Sequence, residues 1–384
     1  MTTIDWLSAL IAFDTTSSKS NLQLIHTIAD WFLQHNIKSR FTSKADNKAN
    51  LFATLPSVDG NTQGGIILSG HTDVVPVVGQ AWDSDPFKAE LRDDKVFGRG
   101  ACDMKGFIAV TLALLPKLQA LNLNFPVHFA FSYDEEIGCC GAPVMIADLK
   151  PLNCNPKLCI VGEPTNMQPV VAHKGIRVFR CQIQGNAAHS SLTPNGCNAI
   201  EYAAKLILFL RQLAEKFKKE QLDRDFDVPF TTLTTNMIQG GNAHNIIPAY
   251  CEFVFEFRHL PEHAASSIKN QIDQYINSHL LHEMQQEYPL AAVNLNEIAG
   301  VPSFAAHADS KLTQLCQAIT GQYAAKKVAY ATEAGLFQEA AISTIVCGPG
   351  SIEQAHRANE FVTLAQLQQC EQFLLAVVEN MAIS

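Results

Sequence analysis

Histidine and carboxylate side chains recur close to glycines in five short segments of this 384-residue chain. They are Gly70-His71-Thr72-Asp73, Gly98 to Gly106 with Asp103 inside it, Asp134-Glu135-Glu136-Ile137-Gly138, Gly162-Glu163-Pro164-Thr165, and Gly348-Pro349-Gly350-Ser351 followed by His356. A mixed set of this kind suits a two-metal hydrolytic site, in which a carboxylate is shared between two ions and each ion has further ligands. Imidazole and carboxylate together favour Zn²⁺ or Co²⁺, whereas purely oxygen ligands favour Mg²⁺ or Ca²⁺. In His71-x-Asp73 both side chains lie on one side of an extended backbone. One of them can bind metal while the other accepts the remaining imidazole N–H. Glu135 and Glu136 are adjacent and point apart in an extended chain, so one can be a ligand and the other a general base. Taken singly, a His-x-Asp is commonly structural and a Glu-Glu pair commonly a solvated face. Five such segments at predicted strand ends or helix entries are harder to explain that way.

The elements that must position these residues follow from hydrophobic periodicity. Trp6–Ile11 and Leu22–Gln34 have helical spacing. Gly65–Ser69, Val127–Ser132, Leu158–Gly162 and Ile342–Cys347 are short apolar runs ending in turns, as buried parallel strands are. Gly106–Leu121 reads as a buried helix. The alternation predicts an α/β sheet flanked by helices, and in such sheets ligands bind beyond the carboxyl ends of the strands. The middle of the chain differs. Ile176–Gln184 alternates with period two, a helix spans roughly Ala199–Lys218, strands follow at Thr232–Ile238 and Tyr250–Arg258, a helix at Ala264–His282, and a strand at Ala292–Ile298. The order βαββαβ is ferredoxin-like. The expected organisation is a catalytic α/β domain formed by residues 1–173 and 301–384, interrupted by an inserted domain at 174–300.

Composition narrows the partners. There are 28 Lys and Arg against 37 Asp and Glu, a formal charge of −9. Without a basic run, nucleic acid and anionic membrane surfaces are not expected partners. The 11 Cys form an odd set, and no C-x-x-C occurs. The expectation is small buried thiols in a reducing compartment. No secretory signal or transmembrane run is apparent, so a cytoplasmic location is expected. Other chemistries are absent. There is no P-loop and no G-x-S-x-G elbow. Asp103 replaces the third glycine of a dinucleotide fingerprint, and His282-Glu283-Met284-Gln285-Gln286 lacks a second metal-binding His.

Four stretches carry a family resemblance: Ser69 to Pro76, Gly98 to Gly106, Asp134 to Gly138 and Gly162 to Thr165. The whole chain resembles the di-zinc amidohydrolases and peptidases that include carboxypeptidase G, aminoacylase, succinyl-diaminopimelate desuccinylase and acetylornithine deacetylase. The resemblance implies a zinc-peptidase-like catalytic domain with a mixed sheet, and an inserted lid and dimerisation domain. It implies two Zn²⁺ per subunit, with Co²⁺ able to substitute. His71 and Glu163 would hold one ion, Glu136 and His356 the other, and Asp103 would bridge them. Asp73 would orient His71, and Glu135 would be the general acid/base.

Within that family, Trp82 to Phe87, Arg99 to Phe107, Ala331 to Ala334 and Gly348 to His356 are most similar to the acetylornithine deacetylases. The implied reaction removes acetate from N2-acetyl-L-ornithine, a step of arginine biosynthesis. A desuccinylase, an acetylcitrulline deacetylase, a broader aminoacylase, a dipeptidase and an inactive binding homologue are the alternatives. His189, by itself a loop His exposed to solvent, would be the oxyanion donor and would reach a partner's site in a homodimer. Asn245 is a substrate-contacting candidate from its resemblance to the family's lid segment. Arg258 is a candidate for the α-carboxylate, or else a solvent-facing strand residue. Glu333 is the candidate for a cationic side chain. His173-Lys174-Gly175 is a hinge candidate with no assigned chemistry. His244, His259, His263, His279, His282 and His307 read as surface or loop residues.

Overall fold

The computed structural model describes residues 1–384 apart from Ala45, Gln221, Ala308 and Ser384. The chain divides into two compact units. The first is Met1–Val171, Ala305–Lys326 and Thr332–Ser384; the second is Ala172–Phe304 with Lys327–Ala331. The expected cuts at 173/174 and 300/301 therefore fall two residues late and four early. Both boundaries between the compact units lie inside short strands, Val170–His173 and Phe304–Ala305. Lys327–Ala331 joins the second unit through Val328, whose carbonyl accepts from the Lys174 N–H, and through Lys327, whose Nζ lies 2.6 Å from Asp223 Oδ2.

In the first unit the main sheet runs Ser39–Thr42, Asn50–Leu55, Val127–Ser132, Ile66–His71, Leu158–Pro164, Ser343–Gly348, Val170–His173. Val127–Ser132, Ile66–His71, Leu158–Pro164 and Ser343–Gly348 are mutually parallel, and antiparallel strands lie on both sides of them. The two N-terminal strands of this parallel set, Ile66–His71 and Val127–Ser132, are buried at every position. That is why they read as continuous apolar runs rather than alternating ones. Helix Lys105–Ala120 is buried nearly all round and packs against helices Thr3–Ile11 and Leu364–Ile383. Its Phe107 ring occupies the space beside Gly162. A Cβ on Gly162 would stand 1.9 Å from Phe107 Cγ, so this strand position admits no side chain.

The second unit is an antiparallel sheet in the order Thr232–Gly240, Tyr250–His259, Gly175–Gln184, Ala292–Val301. With helices Ala199–Glu220 and Ala265–Tyr275 between its strands, this is the expected ferredoxin-like topology. The second helical segment runs on through a π turn at Ile276–Leu280 and a helix at Leu281–Glu287. Ile268, Ile272, Ile276, Leu280 and Met284 recur every fourth residue and are all buried. In an α-helix that spacing drifts around the axis, and one wide turn returns the later side chains to the core face.

Of the histidines expected as surface or loop residues, His263 lies in a loop and His259 ends strand Tyr250–His259, and both are buried. His263 Nδ1 lies 3.0 Å from Thr231 Oγ1, and His259 Nδ1 lies 3.1 Å from the Leu260 carbonyl. All 11 cysteines are free thiols, and Cys140 alone is exposed. Among the described residues, no helix is long and apolar enough to cross a membrane.

Candidate metal centre

The parallel strands all end on one side, and the chemistry of the first unit is gathered there. His71 is the last residue of Ile66–His71, and Glu163 lies one residue from the end of Leu158–Pro164. Glu135 and Glu136 follow Val127–Ser132, and His356 follows Ser343–Gly348. Asp103 comes from the turn that enters helix Lys105–Ala120. His71 Nε2 stands 3.0 Å from Asp103 Oδ1, 3.8 Å from Glu163 Oε1 and 4.0 Å from Glu135 Oε2. His356 Nε2 stands 2.9 Å from Glu136 Oε2 and 3.4 Å from Asp103 Oδ2. The two Asp103 oxygens thus face different histidines, the disposition a shared carboxylate needs. Ligand atoms of His71, Asp103 and Glu136 lie within 4.8 Å of one another, as do those of His71, Glu135 and Glu163.

The tautomer of His71 follows from its neighbours. Its Nδ1 lies 2.9 Å from the Asp73 main-chain carbonyl, which can only accept, so Nδ1 carries a proton and Nε2 is the nitrogen that faces the cluster and is free to ligate a metal once deprotonated. The Asp73 carboxylate, expected to make this contact, is 3.6 Å away, too far for a hydrogen bond. It accepts instead from the Glu135 and Glu136 amides at 3.0 and 3.3 Å and from Ser17 Oγ at 2.7 Å. Asp73 therefore orients His71 through its backbone and the Glu-Glu pair through its side chain.

Sequence reasoning missed Glu360 and Arg99. Glu360 is buried, and its Oε1 accepts from the amides of Cys102 at 2.9 Å and Asp103 at 3.0 Å. Its Oε2 accepts from the Gly100 amide at 3.0 Å and from Arg99 Nη1 at 2.6 Å. One carboxylate thereby fixes the whole turn that presents Asp103. Nothing local marks Glu360, since its partners are more than 250 residues away in sequence. Lys48 was missed as well. It donates to both Asp134 oxygens at 2.6 and 2.8 Å and braces the loop carrying Glu135.

The cluster carries more buried carboxylate than its own charges can neutralise. Burial raises Glu135 to about 8, with Glu136 and Asp103 adding repulsion against the lowering effect of His71. Burial, with repulsion from Asp103, raises Glu136 to about 7. Glu163 is pushed well above the carboxylate range by burial and by Asp103 and Glu135. Hydrogen bonds to Asp103 and Glu136 raise His356 to about 10. Glu163 Oε1 is buried without any hydrogen-bond donor. Buried, mutually repelling carboxylates with an orphaned oxygen aimed at imidazole nitrogens fit divalent cations.

Metal uptake must therefore displace protons. Glu136 and Glu163 hold theirs below their raised pKa values, and His356 must lose its own. The affinity of the metal-free protein for Zn²⁺ should fall as pH drops through about 10, where His356 takes up its proton, and further through about 7, where Glu136 does. Calorimetry in buffers of different ionisation enthalpy should show proton release. Uptake indifferent to pH across this window would exclude these carboxylates as ligands.

The remaining expected residues are placed as follows. Glu333 is 1% exposed, behind the ligand cluster. Its oxygens accept from Ser132 Oγ and, at 3.2 Å, from Ser69 Oγ, and burial raises its pKa. His189, Asn245 and Arg258 belong to the second unit. His189 is exposed, and its Nδ1 accepts from the Ser191 amide at 3.2 Å, which leaves the neutral ring's proton on Nε2. The Asn245 carbonyl accepts from the Ser190 amide at 3.0 Å and so sits beside His189. Arg258 Nε donates to Glu256 Oε1 at 2.9 Å.

Residues 67–380 match the model of Peptidase family M20/M25/M40. The acetylornithine deacetylase of Proteus mirabilis is 33% identical over 384 residues, covering 98% of this chain and 94% of that protein. The acetylornithine deacetylase of Shigella sonnei is 33% identical over 386 residues, covering 98% and 97%. Among solved structures, the M20 family metallo-carboxypeptidase of Sulfolobus solfataricus superposes with a TM-score of 0.77 at 16% identity, covering 100% of this chain and 99% of that one. A dinuclear metal binding peptidase of Bacillus subtilis from the same family superposes at 0.71 and 15%, covering 99% and 98%. On this likeness, which runs through the whole chain and includes the strand ends that carry the cluster, the protein is an amide hydrolase and belongs to peptidase family M20/M25/M40.

Proposed function

We propose that this protein removes the acetyl group from N2-acetyl-L-ornithine, releasing L-ornithine and acetate in arginine biosynthesis. The observation that carries the reading is similarity to acetylornithine deacetylases at 33% identity over nearly the full length of both chains. The proposed setting is a cytoplasmic homodimer. The inserted unit acts as its lid and dimerisation domain.

His71, Glu163, Asp103, Glu136 and His356 would hold two Zn²⁺, or Co²⁺ in their place. Such ions, when bound, acidify water and polarise an amide carbonyl. Glu135 takes a proton from the attacking water and returns it to the leaving amine. Its oxygens lie beside the ligand cluster, and its pKa, raised to about 8 by burial, is close to the working pH of a proton shuttle. His189, with its proton on Nε2, donates to the developing oxyanion, in a dimer from the partner subunit. Asn245, beside His189, and the Arg258 guanidinium bind the substrate backbone and carboxylate. Glu333 has serine hydroxyls as its direct partners and makes no ion pair with Lys or Arg among the described residues. It supplies the negative potential that favours the ornithine ammonium.

The test is a deacylation panel of N2-acetyl-ornithine, N-acetyl-citrulline, N-acetyl-methionine and N-succinyl-diaminopimelate with Zn²⁺ or Co²⁺. The highest kcat/KM is expected for N2-acetyl-ornithine, and Glu333→Gln should narrow its lead over neutral N-acetyl-citrulline. A preference for the succinyl substrate would sink the assignment.

A further inference from the structure

The loop that delivers Glu135 is wound more tightly than its task of linking a strand to helix Ala142–Leu149 requires. The amides of Gly138 and Cys139 both donate to the Glu135 carbonyl at 2.9 Å. Those of Cys140 and Gly141 return to the carbonyls of Asp134 and Tyr133 at 2.9 and 3.0 Å. Buried Asn50 ties the two ends together, accepting from the Tyr133 amide at 3.2 Å and donating to the Gly141 carbonyl at 2.9 Å. The winding forces Cys139 into the left-handed region at φ 53°. A side chain there costs free energy that glycine would avoid, and such outliers persist where the surroundings demand them. The Cys139 side chain is 2% exposed, and its Sγ lies 3.3 Å from Glu135 Oε1. Burial, with the nearby Glu135 charge, holds the thiol well above its ordinary pKa, so it keeps its proton and donates it.

We propose that Cys139 is a positioning residue for Glu135, its thiol fixing Oε1 so that Oε2 faces the reaction. This rests on the reading of Glu135 as the proton shuttle. One carboxylate oxygen is then committed to the loop and the other stands 4.0 Å from His71 Nε2. A freely rotating carboxylate would spend part of its time turned away from the attacking water.

Cys139→Ala and Cys139→Ser place the same Cβ in the same backbone, so they share the cost of a side chain in the left-handed region. They differ in the hydroxyl, which restores a donor to Glu135. Alanine should lower kcat about 3- to 10-fold, the worth of one modest hydrogen bond, with KM and metal content unchanged. Serine should restore most of the loss. In a Glu135→Asp background, whose shorter carboxylate is withdrawn from the thiol, Cys139→Ala should cost less than about twofold. Wild-type kcat in the alanine variant, serine as slow as alanine, or an undiminished alanine effect in the Glu135→Asp background would each overturn the proposal. Wild-type turnover by Glu135→Gln would instead remove the shuttle itself, whatever Cys139 does.

Discussion

Glu135→Gln is expected to reduce kcat by about a hundred- to ten-thousand-fold while leaving metal content intact. The substitution is isosteric. It cannot disturb the loop, because the contact that ties Glu135 to Asp73 is made by its backbone amide at 3.0 Å. A glutamine carbonyl still accepts from the Cys139 thiol, so the side chain keeps its place. What is lost is the capacity to take a proton at a pKa near 8 and release it to an amine. Steady-state kinetics alongside metal analysis separates the two roles the geometry permits, since Glu135 also lies among ligand atoms with His71 and Glu163. Metal lost together with activity would move Glu135 into the ligand set.

Glu360→Ala should damage stability severely. The wild-type carboxylate satisfies three amides and the Arg99 guanidinium, and both partners of the ion pair have 1% exposed side chains. Removing it strands a buried cation and leaves three amides without acceptors. Breaking a buried pair from one side costs about 3–5 kcal/mol. The unfolding midpoint of the metal-free protein in urea should fall accordingly, and the variant should retain less metal because Asp103 is no longer fixed. A loss below about 1 kcal/mol would mean that water or Gln80, another partner of Arg99, replaces the carboxylate.

The main elements were readable in the sequence because burial leaves a strong local pattern. Leu22–Gln34 and Val127–Ser132 occur at the bounds read from periodicity, and the four parallel strands were each found as apolar runs. The residues His71, Asp103, Glu135, Glu136, Glu163 and His356 could be nominated because each follows such a run or precedes a buried helix. What stayed hidden depends on distant partners. Glu360 is an ordinary Glu before a short strand until the turn at Gly100–Asp103 is placed against it. Asp73 was nominated for the right neighbour, but whether its carbonyl or its carboxylate meets His71 is a matter of tenths of an ångström. Glu333 lies behind the cluster because it hydrogen-bonds Ser69 and Ser132 on adjacent strands, a pairing no spacing along the chain encodes. The burial of His259 and His263 was not legible, because their partners Thr231 and the Leu260 carbonyl are set by how the chain folds and not by a local pattern.

The interruption of the first unit has a consequence for how the protein is made. Strand Leu158–Pro164 pairs with Ile66–His71 on one side and with Ser343–Gly348 on the other. The chain leaves this unit at Val171 and does not return until Ala305. At about 5–20 residues per second, roughly 10–35 s of synthesis separate Leu158–Pro164 from Ser343–Gly348. For that interval the most apolar part of the sheet presents an unpaired edge, the surface that recruits wrong strands. His71, Asp103, Glu136 and Glu163 are already made by then, but His356 is not. The nascent chain therefore offers only part of the metal cluster until the ferredoxin-like unit has been produced. With the ligands proposed above, productive capture of metal becomes one of the last events of folding rather than one of the first.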